Sequence, residues 1–145
     1  MKAVIYLRIA SVLTFVHAIL HTVGGVFGKI EPGPQQVAVD AMKANTFPLM
    51  GAIRSFWIFY RGFGLAITIF LAAAAVVMWQ LSSLARTDSH RLRPIYWTLL
   101  VAFLAMAVNS AVYFFLPPVI VEILIAICLA GTIFTSKSPG VSPAY

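Results

Sequence analysis

Apolar positions run in four long blocks along the chain, at about 4–27, 56–81, 95–116 and 118–136. Each is near the roughly 20 residues that an α-helix needs to cross bilayer hydrocarbon. Together they predict an all-α integral membrane four-helix bundle, a single transmembrane domain over residues 1–136 with a disordered tail at 137–145. Pro117 and Pro118 impose a tight turn between the last two blocks, because proline opens helices but does not continue them. The stretch between the first two blocks is long for so small a bundle. Pro34 there suits a helix start, and Val37, Ala41 and Met42 recur at helical spacing. A short amphipathic helix in this loop is predicted, as a lid over a site or as a spacer packed on the bundle.

The first block has the basic start and apolar run of a signal peptide. Arg8 interrupts that run, two histidines follow, and no small-residue cleavage site comes before Gly28. A retained first span is therefore expected.

Polar residues inside the blocks are few, and helical spacing sorts them into stripes. Thr14, His17, His21 and Gly24 share one face of the first span. Arg54, Trp57, Arg61, Gly64 and Thr68 line up on the second, with Tyr60 beside them. Ala102, Met106, Asn109 and Tyr113 do so on the third, and Glu122, Ala126 and Ala130 on the fourth. By depth all of these polar groups lie towards the same membrane face, so one polar layer is expected. Glu122 is the one acid within any span, and an Arg61–Glu122 pair is the economical expectation for a charge placed in lipid. Snorkelling of Arg61 to lipid phosphates, aromatic belts at the span ends and interhelical hydrogen bonding are the competing structural readings.

His17 and His21 stand four residues apart, a spacing that also serves metal ions, though without the glutamate of an HExxH site. Metal binding, hydrogen bonding and proton handling all remain open for them. Haem held by both histidines does not fit, because its axial ligands come from opposite faces of the ring; a haem would have to use one of them with another ligand, and no span offers a third histidine. No cofactor is identified.

Composition supports the membrane reading: of 145 residues, 61% are hydrophobic and 10% charged, against about 25% charged in soluble domains. The net charge of +6 comes from scattered residues with no basic cluster, so nucleic acid is not an expected partner. The basic residues speak instead to orientation. Lys2, Arg8, Arg86, Arg91, Arg93 and Lys137 fall on one side, and Lys29, Lys43 and Arg54 on the other, which favours cytoplasmic termini. The single cysteine, Cys128, excludes an intramolecular disulfide and a CxxC redox pair.

The block MGAIRSFWIFYRGFGL, residues 50–65, resembles the hallmark of a family of small four-span bacterial membrane proteins. That pattern runs M-G-x-x-R-[ST]-[YF]-W-x-F-Y-x-G-F-G-L, after a first helix with a histidine before H-T-x-G. Met50, Gly51, Arg54, Ser55, Phe56, Trp57, Phe59, Tyr60, Gly62, Phe63, Gly64 and Leu65 match it. HTVGG at 21–25, Asn109 and Tyr113-Phe114-Phe115 are similar too. Ile58 stands where the family pattern carries an acidic residue, so no proton relay is implied at that position. The resemblance implies the four-helix fold, a bacterial inner membrane and interest in Arg54, and implies no reaction. A looser similarity to DoxX-like proteins and the emopamil-binding group is architectural, and fold does not carry function.

The function expected from these observations is binding, with or without chemistry, of a lipophilic molecule with an anionic or polar head. Arg54 and Arg61 would hold the head, His17, Trp57, Tyr60, Asn109, Tyr113 and Glu122 would complete the pocket, and His21 would be the acid–base group. Expected partners are membrane lipids, a lipophilic small molecule, and homo- or hetero-oligomeric copies. The alternative is a non-catalytic accessory subunit of a larger membrane complex, using the Gly62-Phe63-Gly64 segment and the Ala126/Ala130 row as helix-docking faces. A small dimeric transporter is a third reading, with Glu122 placed nearer a span end than transporter sites tend to be.

Overall fold

The structure, a computed structural model, describes residues 2–136; the tail expected to be disordered lies outside the described residues. The fold is an all-α four-helix bundle in which four helices are long and apolar enough to cross a membrane, Lys2–Val26, Phe56–Asp88, Arg93–Tyr113 and Leu116–Thr135. This is a multi-pass membrane protein. Large apolar side chains such as Ile5, Phe15, Phe70, Val101, Val112 and Phe134 are exposed along these helices. Lipid solvates such faces, while the buried positions mix small and polar groups such as Ala10, Ser82 and Thr132 with Leu7, Met78, Tyr96 and Leu129.

The chain divides into two compact units. The first combines residues up to His17 with those from Ala72 onward, and the second is Ala18–Leu71. In the first unit, α1 (Lys2–Leu20) buries Ala3, Leu7, Ala10, Thr14 and His17, each three or four residues from the last. The C-terminal part of α3 (Phe56–Asp88) buries Ala75, Met78, Ser82 and Ala85 by the same periodicity. Ser11 Oγ donates to the Ala75 carbonyl at 2.7 Å and so ties these two helices together. α4 (Arg93–Tyr113) and α5 (Leu116–Thr135) form a tight antiparallel hairpin. Its turn is Phe114–Phe115, and Pro117 and Pro118 lie in the first turn of α5, where missing N–H groups leave no helical bond unmade. Gly131 meets the Tyr6 ring, which an added Cβ would approach to 3.1 Å.

The second unit begins with a departure from the expected stripe. α1 runs into a π-helical segment, His21–Val26, closed by Phe27 N–H donating to the Thr22 carbonyl at 2.9 Å. The wider turn rotates the buried face, so Val26 is enclosed while Gly24 is exposed. α2 (Pro34–Ala44) is the predicted loop helix, opened by Gly33 at φ 104° and Pro34. Its buried residue is Val39, flanked by half-buried Gln36 and Met42, whereas Val37 and Ala41 are exposed. Of the three residues named from helical spacing, Met42 lies on the anchored side and Val37 and Ala41 do not.

A β-hairpin follows that the sequence did not announce. β1 (Thr46–Leu49) pairs antiparallel with β2 (Ala52–Ser55) across Met50 and Gly51, whose φ angles of 46° and 85° are both positive. Two positive φ values mark the turn family whose twist matches hairpin strands. Pro48 is tolerated because a two-stranded ribbon has open edges. Phe47 packs on Phe56 at 4.8 Å and Phe59 at 5.6 Å between ring centroids, which fixes the hairpin on the first turns of α3. Ser55 Oγ accepts the Ile58 N–H at 3.2 Å and caps that helix. With 33 residues α3 is about 50 Å long, well beyond the hydrocarbon thickness.

Candidate functional site

The polar residues fall into two groups, one in each unit. In the first, the hairpin turn brings Ser110 of α4 against Glu122 of α5. Ser110 Oγ donates to Glu122 Oε1 at 3.0 Å, and His17 Nε2 stands 3.9 Å from the same oxygen. Glu122 is 1% exposed, and among the described residues no hydrogen bond reaches its Oε2. The 3.9 Å separation is longer than a hydrogen bond and within ion-pair distance when the imidazole carries a proton. Depth along the spans suggested Arg61 as the partner of Glu122; the partners described for it are a serine and a histidine.

Asn109 and Tyr113 do not join this group. Both are exposed, Tyr113 at 74%, because the inward face of α4 is Tyr96, Leu100, Phe103, Ala107 and Ser110. Ala102 is exposed as well and Met106 half-buried. One residue along a helix is a rotation of about 100°, so the stripe through Asn109 points away from the stripe through Ser110. Ser110 is the site residue that sequence reasoning missed. Its signal was a second 3–4 stripe on a helix apolar on every side, where polarity alone favours the larger asparagine. The Glu122 row with Ala126 faces inward, Ala126 at 3% exposure, so that row is used in the bundle's own packing.

In the second unit, the stripe read on the second span is largely present. Trp57, Arg61, Gly64 and Thr68 are half-buried at 3–4 spacing and lead to buried Leu71. His21 Nε2 lies 3.1 Å from the Gly64 carbonyl, and since a carbonyl can only accept, Nε2–H is the donor in that contact. Gly64 is small for a reason: a Cβ there would come within 2.8 Å of Val26 Cγ2. Thr22 and Thr68 hydroxyls meet at 2.9 Å, with the Ala18 carbonyl 2.6 Å from Thr22 and the Gly64 carbonyl 3.2 Å from Thr68. Two hydroxyl protons serve these three contacts, so two of them are made at any instant.

The cations of this unit are distributed unequally. Arg61 lies over the Phe27 ring at 4.4 Å, and Lys43 over Trp57 at 5.8 Å, with Trp57 stacked on Tyr60 at 5.7 Å. Lys29 stands 3.8 Å from Glu31. Arg54, read as the top of the α3 stripe, belongs instead to β2 and is exposed, its Nη1 donating to its neighbour's carbonyl, Ile53 O, at 3.0 Å. It stands at an open groove of about 380 Å³ on the exposed side of α3, whose walls include Leu49, Ile58, Phe59, Phe63 and Ala66. Gly62 forms part of the groove, and a Cβ added there would meet nothing within 4 Å.

His17 and His21 serve different partners, a carboxylate and a main-chain carbonyl. Among the described residues no three His, Cys, Asp or Glu side chains gather as a metal-binding group. No family model, curated protein or solved structure matches this chain.

Proposed function

We propose that the protein binds a lipophilic molecule with an anionic head, the head on Arg54 and the tail along the α3 groove past Phe59, Gly62 and Phe63. The observation that carries this reading is the state of Arg54. Its guanidinium offers five N–H donors, its recorded contact is one carbonyl of its own strand, and it borders an apolar groove. A planar cation with free donors suits carboxylate and phosphate, and apolar walls suit an acyl or isoprenoid chain. Arg61 and Lys43, already lying over rings, have a lesser part. The protein sits in a bacterial inner membrane with both termini cytoplasmic, which opens the groove to the outer leaflet. Binding is the activity assigned, and no reaction is.

The test is a titration of delipidated protein with phosphatidylglycerol and, separately, phosphatidylcholine. Tighter binding of the anionic lipid, abolished as a preference in Arg54→Ala, is the expected result. Equal affinity of the wild type for the two lipids would remove the role given to Arg54.

A further inference from the structure

We propose that Glu122, His17 and Ser110 form an intramembrane proton-binding site, at which a proton taken up from water is held between the carboxyl group and the imidazole. The inference is independent of the groove on α3, since these three residues lie in the other compact unit.

An acid within a membrane span is costly to keep charged, and such residues generally pair or serve a proton pathway. Glu122 is enclosed at 1% exposure, with a single hydroxyl donating to Oε1, and among the described residues nothing hydrogen-bonds Oε2. An ordinary structural carboxylate would have both oxygens satisfied. The ligand of so enclosed a group must be small, and a proton requires no volume. The imidazole nitrogen 3.9 Å from Oε1 is the titratable group recorded against it; α4 contributes Ser110, which does not titrate at accessible pH. A carboxylate beside a neutral imidazole has net charge −1, and one proton added to either brings the pair to zero. In the transfer between them an O–H bond is broken and an N–H bond is formed, or the reverse, and the Ser110 hydroxyl keeps its bond to Oε1 in both forms. Glu122 lies six residues into α5, about 9 Å along the axis from the helix start. Proton exchange with water is therefore expected from that end of the span. At this separation a change of charge on one group acts on the protonation of the other.

The experiment is pH-dependent infrared difference spectroscopy of the protein reconstituted in phosphatidylcholine vesicles, with Glu122→Gln as the reference. The wild type should show a protonated-carboxyl C=O band that rises and falls reversibly with pH, accompanied by imidazole changes at the same midpoints. Glu122→Gln should lose the band, His17→Gln should displace its midpoint by about one pH unit or more, and Ser110→Ala should shift its frequency while leaving it titratable. Helical circular dichroism and a single size-exclusion peak establish that each variant is folded. A wild-type spectrum in which no carboxyl band differs from that of folded Glu122→Gln at any pH would overturn the proposal. So would a carboxyl midpoint that His17→Gln leaves unmoved.

Discussion

The two compact units use their polar residues in opposite ways. In the first, Glu122, Ser110, Thr14 and His17 are buried, and the contact between Ser110 and Glu122 is enclosed. In the second, His21, Thr22, Arg61 and Thr68 are half-buried and Arg54 is exposed beside a groove. Buried polar groups couple strongly to one another and tolerate little change, whereas half-exposed groups remain free to meet a ligand. Perturbing the first unit should therefore act on stability and protonation, and perturbing the open side of the second on binding.

The largest contrast comes from placing one lysine in each setting. Glu122→Lys puts a second basic group beside His17 within the enclosed site and should cost about 3 kcal/mol or more, whereas Tyr60→Lys, at a position 53% exposed near the start of α3, should change stability little. Thermal unfolding in detergent would measure both, and equal losses would erase the distinction between the units. Next in size is a pair of glycines two residues apart. Gly64→Leu should lose about 1–3 kcal/mol through its collision with Val26. Gly62→Leu should leave stability nearly unchanged and fill the groove, so it lowers lipid binding without unfolding the chain. The smallest effect is expected from Thr22→Val, which removes one interhelical contact worth about 0.6 kcal/mol. A loss several times greater would mean that the threonine and histidine contacts around Gly64 act cooperatively.

Much of this fold was legible in the chain because lipid imposes a simple requirement: a span must be about 20 residues of apolar helix. Where that rule stops, so did the reading. α3 continues to Asp88 because the segment after Leu81 still favours helix even as hydropathy falls. The β-hairpin escaped notice because its turn is Met50-Gly51, with glycine at one of two positive-φ positions and none of the usual asparagine or aspartate. Stripes were readable where glycine, threonine and arginine stood out against leucine and alanine, as on α3. They were not readable on α4, where every face is apolar and a one-residue rotation exchanges Asn109 for Ser110. The π-helical segment misled for a related reason: a stripe assumed to repeat at 3.6 residues loses its register at His21–Val26. Arg54 was read as the top of a helical stripe, but its strand placed it on the open side of the unit.

The most direct test of the division between the units is native mass spectrometry of the protein from mild detergent, comparing the wild type with Arg54→Ala, Gly62→Leu and Glu122→Gln. A lipid adduct that is present in the wild type and in Glu122→Gln, and lost in Arg54→Ala and Gly62→Leu, is the result this account predicts. An adduct lost in Glu122→Gln and retained in Arg54→Ala would contradict it, by placing the ligand with the enclosed carboxyl group instead of the exposed arginine.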